Sequence, residues 1–176
     1  FDKTIYDGDA SLDFWKYSVK RQPLLVFYLP YQVFSAILFK SKLISRKQFK
    51  ERFFSFLKSV HSLDLNGFWD AHQYKIKWYL NQKKSNDLII SASPEFILKG
   101  ITDRLKIELL GTKMDFQTGK ISGENCRGEE KVKRLYEFCK DPRIDQFYSD
   151  SKSDTPLKKL AKSAYLVKKN QISDWK

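Results

Sequence analysis

The chain has 176 residues, with 33 Lys+Arg against 21 Asp+Glu and a formal net charge of +12, enough chain for one sizeable core. At 41% hydrophobic and 15% aromatic, with only 7 Gly and 5 Pro, the composition excludes wholesale disorder, a collagen-like repeat and a low-complexity scaffold. Two cysteines and two histidines exclude a disulfide framework and a four-thiolate zinc site, and His61 and His72 share no close ligand spacing.

The sequence opens on Phe1-Asp2-Lys3-Thr4-Ile5. No basic region leads into an apolar one there, so no signal peptide is visible. The expectation is a cytoplasmic protein whose first motif is only partly in view. Asp7 and Asp9, in Tyr6-Asp7-Gly8-Asp9, are expected to turn the chain and cap the first helix. From about Leu12 to Leu80 the texture is helical. Phe49, Phe53, Phe56 and Val60 recur at three- and four-residue spacing, and no Gly falls between Gly8 and Gly67.

Basic charge is concentrated in this stretch. Phe14 to Val60 holds ten Lys/Arg against the single acid Glu51, together with 12 of the 27 aromatics. It encloses an uncharged run, Gln22 to Phe39, which allows three readings: a membrane-spanning helix, a buried helical hairpin, or an apolar hairpin with a basic rim resting on an anionic membrane surface. Pro23 and Pro30 cut the run into pieces too short to span. Trp15, Phe27, Tyr28 and Phe34 are expected in the core of the helical region rather than on a substrate platform.

Beyond Leu80 the pattern changes to short apolar runs ending in small residues: Leu88-Ile89-Ile90, Phe147-Tyr148 and Tyr165-Leu166-Val167. Alternation with helical segments implies βα units around a parallel sheet, with functional residues at the carboxyl ends of the strands. Thr112 to Gly123, centred on Thr118-Gly119, reads as a β-hairpin or ribbon. Cys126 and Cys139 read as buried small hydrophobes, and His61 and His72 are assigned no catalytic role.

Four clusters fall where strand ends are expected: Asp2 with Thr4, Ser91, Lys131, and Asp150 with Asp154. Carboxylates, a hydroxyl and a lysine at one sheet edge suit phosphoryl transfer, because hard carboxylates hold Mg²⁺ while the lysine and hydroxyl neutralise phosphate oxygens.

Taken in order, these clusters resemble the motifs of the haloacid dehalogenase superfamily, in the subfamily (IB) with a helical cap inserted after the first motif. Phe1-Asp2-Lys3-Thr4 is similar to the last four positions of its first motif, Asp-x-Asp-x-Thr. Ile89 to Pro94, Asn125 to Lys131 and Tyr148 to Asp154 resemble the other three. Within the superfamily, Lys20-Arg21-Gln22-Pro23-Leu24, the Ser93-Pro94 pair, Cys-x-Gly-x-Glu-Lys and Tyr-Ser-Asp-Ser are similar to the phosphatidylglycerophosphatase C branch.

The resemblance implies an α/β fold, a Rossmann-like core formed by residues 1–11 and 81–176 with an all-helical cap over 12–80. It implies a phosphomonoester hydrolase that works through an aspartyl-phosphate, with the nucleophilic Asp just before Phe1. Asp2 is then the general acid/base, and its backbone carbonyl with Asp150 ligates Mg²⁺. Ser91, Ala92 and Lys131 bind the phosphoryl group, and Thr4 and Asp154 support the ligands from behind. Ser91 is preferred over Ser93 because it comes first after the apolar run, while Ser93-Pro94 opens the next helix. Ser149 stands where many relatives have Gly.

The basic, aromatic cap suits an anionic amphiphile, so a lipid phosphate of the phosphatidylglycerophosphate kind is the expected substrate. Peripheral contact with the inner face of an anionic membrane goes with it, and no nucleic acid partner is expected. A soluble metabolite phosphatase is the alternative; a non-catalytic binder of anionic lipid or nucleic acid explains the charge but not the four ordered motifs.

Overall fold

The computed structural model describes residues 1–76, 78–169 and 171–176. After an opening loop the chain forms α1 (Ala10–Arg21), a 3₁₀ segment over Pro23–Tyr28, α2 (Leu29–Lys40), α3 (Arg46–Phe53), a second 3₁₀ segment over Phe54–Ser59, and α4 (Leu65–His72). The α/β part follows: β1 (Leu88–Pro94), α5 (Glu95–Leu105), β2 (Glu108–Thr112), α6 (Glu129–Phe138), β3 (Ile144–Ser149), α7 (Thr155–Lys158), β4 (Ala161–Lys168) and β5 (Gln171–Asp174). The helical stretch and the α/β alternation thus fall where the sequence places them.

Local chemistry explains the helix ends. Asp9 caps α1 by accepting from Leu12 N at 3.0 Å, and the helix ends at Gln22, one residue before Pro23. Ser45 and Gln48 form a reciprocal capping box on α3. Asp64 caps α4 through Gly67 N at 2.8 Å. α1 buries Ala10, Phe14 and Ser18 on one stripe, and α5 buries Ile97, Leu98, Ile101 and Leu105.

These stripes meet. Phe14 packs edge-on to Phe68 at 5.4 Å and to Phe96 at 6.0 Å, and Trp69 donates to the Ile97 carbonyl at 2.7 Å. One core cluster therefore contains Phe14, Phe54, Phe56, Phe68 and Trp69 of the helical stretch together with Ile97, Leu98 and Ile101 of α5.

β1 and β2 pair in parallel, as do β3 and β4, with β5 added antiparallel to β4. The two sheets remain separate among the described residues. The edges of β1 and β3 line a cavity of about 420 Å³, with Ile89, Ile90, Phe147, Tyr148 and Phe1 among its lining residues. The expected hairpin forms as a short antiparallel pairing about the bridge of Met114 with Ile121. Asp115 N–H donates to the Lys120 carbonyl at 2.8 Å and Ser122 N–H to the Lys113 carbonyl at 2.9 Å, and Asp115 Oδ1 accepts from Thr118 N at 2.7 Å. At its tip Gly119 (φ +72°) lies against Phe54, where a Cβ would come within 2.5 Å of the carbonyl oxygen.

Two expectations are corrected. Cys126 is buried, but Cys139 is exposed: it follows the end of α6, where nothing packs over it. The uncharged run is not the interior of a helical hairpin. Pro23–Lys40 is long and apolar enough to cross a membrane by length and composition, yet only Leu25, Gln32 and Ser35 within it are buried. Phe27 and Phe34 are exposed, whereas Trp15 and Tyr28 are partly buried against the core. α2 is apolar on nearly every side, so whichever stripe faces α3 leaves the others uncovered.

Candidate active site

The opening loop winds around the Phe1 carbonyl, which accepts from the backbone N–H of Thr4, Ile5 and Tyr6 at 3.0 to 3.2 Å; Lys3 takes the left-handed conformation (φ 55°) at the tight point. The turn brings Asp2 beneath the first turn of α1. Asp2 Oδ1 accepts from Ala10 N at 2.6 Å, and Oδ2 accepts from the Ser93 hydroxyl at 2.5 Å. A carboxylate at a helix N-terminus is favoured by the helix dipole, and two donors from different elements fix its plane.

Thr4 Oγ1 lies 3.3 Å from the Asp2 carbonyl and 3.4 Å from Asp150 Oδ1, so it ties the loop after β3 to the opening loop. Behind Asp150, the buried Lys131 of α6 donates to Asp154 Oδ2 at 2.8 Å, and the Ser149 hydroxyl donates to the same oxygen at 2.8 Å. The hydroxyl at position 149 thus has a partner. It shares with Lys131 the neutralisation of a carboxylate that would otherwise be buried and uncompensated.

β1 alternates, with Ile89, Ser91 and Ser93 buried on one face, which is the strand period of two. Ser91 Oγ accepts from Ser93 N at 3.1 Å, while Ser93 is the serine that reaches Asp2. The strand continues through Pro94 and α5 starts at Glu95. The spacing Ser91-x-Ser93 after an apolar run was the available signal for both serines sharing this face.

Three polar residues unsuspected in the sequence complete the arrangement. Lys50 Nζ of α3 donates to the Ala92 carbonyl and to Asn125 Oδ1 at 3.0 Å. Thr112 Oγ1 lies 2.6 Å from the same carbonyl and 3.1 Å from Asn125 Oδ1, and it accepts from Cys126 N at 3.1 Å. Burial pushes the Lys50 ammonium down to about 8 against the opposing pull of Asp2 and Asp9. Asp9 is pushed up by burial and by Asp2 beside it.

The structure therefore brings together Asp2, Thr4, Ser91, Ala92, Lys131, Asp150 and Asp154, contributed by the opening loop, the end of β1, the start of α6 and the loop after β3. His61 is exposed, and His72 is bonded through Nδ1 to the Phe68 carbonyl at 2.8 Å.

Residues 1–159 match the model of the haloacid dehalogenase-like hydrolase family. The chain belongs to that family. The family is one of hydrolases. Among curated relatives it is similar to Protein CicA from two strains of Caulobacter vibrioides, at 35% identity over 86 residues, a match that spans 45% of this chain and 39% of the relative. Among solved structures it is similar to a protein of unknown function from Bordetella pertussis Tohama I, with a TM-score of 0.72 and 16% identity over 93% of this chain and 85% of that one. That likeness concerns the fold. The haloacid dehalogenase-like architecture accounts for the α/β order and for a site at the carboxyl ends of parallel strands.

Two oxygens in this site suit a hard cation. The Asp2 carbonyl and the Asp150 carboxylate both come within reach of the Thr4 hydroxyl. Among the described residues there is no group of three or more metal-ligating side chains. A pair of oxygens completed by water is what Mg²⁺ tolerates, since it keeps several waters and uses one or two carboxylates.

Proposed function

We propose that the protein hydrolyses phosphomonoesters through an aspartyl-phosphate intermediate. The observation that carries this reading is the convergence of Asp2, Asp150 and the Lys131–Asp154 pair into one charged field, in which the Thr4 hydroxyl links Asp150 to the Asp2 loop and Lys131 pairs with Asp154 in the segment after Asp150. The carboxylate that precedes Phe1 in the family's first motif would lie in that field.

In this reading the carboxylate before Phe1 attacks phosphorus. Asp2, held by Ala10 N and Ser93 Oγ, gives a proton to the leaving oxygen and then takes one from the water that hydrolyses the intermediate. Ser91 and the peptide of Ala92 bind phosphoryl oxygens, and Lys131, oriented by Asp154, neutralises their charge. Mg²⁺ would be held by Asp150 and the Asp2 carbonyl, and when bound it supplies charge neutralisation between the nucleophile and the phosphoryl group.

Residues 12–80 act as the cap in this account, and lipid phosphate of the phosphatidylglycerophosphate kind is the proposed substrate. The exposed apolar run bordered by Lys20, Lys40 and Lys42 supports peripheral contact with an anionic membrane on its cytoplasmic side. Metal removal tests the chemistry. Phosphate release from an aryl phosphate by the full-length protein should be abolished by excess chelator and restored by Mg²⁺, whereas undiminished turnover in chelator contradicts the mechanism.

A further inference from the structure

The junction between α3 and the loop 123–127 carries more cations than its carboxylates can pair. Lys47 donates to the Gly123 carbonyl at 2.5 Å and lies 3.9 Å from Glu124, and Glu51 is taken by Lys120 at 3.6 Å and by Ile121 N at 3.0 Å. Lys50, Arg46 and Arg127 then have no carboxylate within ion-pair distance among the described residues. Arg46 precedes Lys50 by one helical turn, and Arg127 lies two residues beyond Asn125, which accepts from Lys50. α3 meets the loop through Lys47 on the Gly123 carbonyl and Lys50 on Asn125, which puts Arg46 and Arg127 on the two sides of one junction, and burial and the like charge of Arg127 together depress the Arg46 guanidinium.

This arrangement works against stability. Arg46 and Lys47 stand in the first turn of α3, which contains no acid, at the end of the helix where the dipole disfavours cations. Arg46 is nevertheless held in place: its guanidinium lies 4.9 Å from the Phe39 ring centre, and Phe39 stacks on Phe49 at 5.1 Å. Cations without carboxylate partners at one junction, with Arg46 at the N-terminus of α3 and Lys50 in its last turn, complement an anion. They also adjoin the reacting site, since Lys50 sits on the Ala92 carbonyl, between Ser91 and the Ser93 that holds Asp2.

We propose that Lys50, Arg46 and Arg127 form a second anion subsite that takes a negatively charged group on the leaving-group side, so that the favoured substrates are phosphomonoesters carrying a second anion. The subsite rests on the phosphomonoesterase reading above. The second anion could be the phosphodiester of a lipid headgroup or a further phosphate on a soluble ester; both present the same chemistry to guanidinium and ammonium donors.

The test is equilibrium binding by calorimetry to the full-length protein carrying Asp2→Asn, in which turnover is slowed so that binding is read before hydrolysis. Glycerol 1-phosphate and glycerol 1,3-bisphosphate form the soluble arm. Phosphatidic acid and phosphatidylglycerophosphate, each in neutral-lipid vesicles, form the lipid arm. The doubly anionic member should bind about tenfold tighter or more, and Arg46→Gln with Arg127→Gln should erase that preference while Arg46→Lys with Arg127→Lys retains most of it.

A preference in both arms, lost in the Gln variant, supports a subsite that reads charge alone. A preference confined to the lipid arm and lost in the same variant supports the subsite with the lipid as its source. Equal binding within both pairs, or a preference the Gln variant keeps, overturns it. Failure of the underlying reading is separable, because a protein that shows the preference yet hydrolyses none of these esters loses the phosphatase assignment and keeps the subsite.

Discussion

Asp2 owes its position to two donors that lie far apart in sequence, Ala10 N at the start of α1 and Ser93 Oγ at the end of β1. The same residue-scale logic governs Lys131 and Asp154, where a buried charge is tolerated because its partner and the Ser149 hydroxyl come with it. Lys50 differs, having neutral oxygens as hydrogen-bond partners and carboxylates only at longer range. Burial lowers its pKa to about 8, with Asp2, Asp9 and Cys126 favouring its charge and Arg46 opposing it. The folded protein therefore holds this proton less tightly than the unfolded chain, whose lysines titrate near about 10.4. Between those values the unfolded state binds more protons, and stability rises with pH. Thermal melting at about pH 7 and about pH 9.5 should show the unmodified protein gaining on Lys50→Met, which lacks this titration; a Tm difference independent of pH, or moving the other way, contradicts a buried cation at position 50.

At the scale of elements, α2 and the 3₁₀ segment before it are the least covered part of the fold, with Leu24 and Phe27 each 76% exposed and Phe34 and Ile37 more than half exposed. A contiguous apolar surface of this kind in a soluble environment marks an interaction site. The bordering cations are not equivalent. Arg21 is held by Asp64 at 3.2 Å, which leaves Lys20, Lys40 and Lys42 as the exposed cations at the rim. At about 1 kcal/mol per cation near an anionic surface, changing these three to Gln should weaken sedimentation with anionic vesicles on the order of a hundredfold, and high salt should mimic the change. No preference of the unmodified protein for anionic over neutral vesicles would favour the soluble metabolite phosphatase instead.

Element by element, the sequence was informative where local chemistry decides the outcome. The Asp9 cap, the β1 and β3 strands that end in small residues, and the order of the four motifs could all be read in the chain, because capping and strand-end turns depend on near neighbours. β2 and β5 could not. β2 has two apolar residues between Glu108 and Gly111 and is recognisable only beside β1, and β5 is exposed along its length and exists through pairing with β4. The placement of Lys50 on the Ala92 carbonyl was hidden, because nothing in the sequence of α3 sets it apart from Arg46, Lys47 and Arg52. The exposure of the Gln22–Phe39 run was hidden too, since a residue pattern states that apolar surface exists but not whether the chain has enough other surface to cover it.

For the molecule as a whole, the site lies where four segments meet, and the shared core of α1, α4 and α5 fixes the helical stretch over it. Docking of α3 on the loop 123–127 brings Lys50 onto Ala92, so the proposed cap reaches the reacting group directly. The central claim is that Asp2 moves protons in phosphomonoester hydrolysis, and the most direct test is phosphate release from an aryl phosphate by the full-length protein at saturating Mg²⁺, with and without Asp2→Asn. The substitution keeps the backbone carbonyl and a side chain able to accept from Ala10 N, but removes the carboxyl that can give and take a proton. Turnover should fall by about two to four orders of magnitude while Mg²⁺ still binds; an Asp2→Asn protein that retains near-normal turnover would contradict the account.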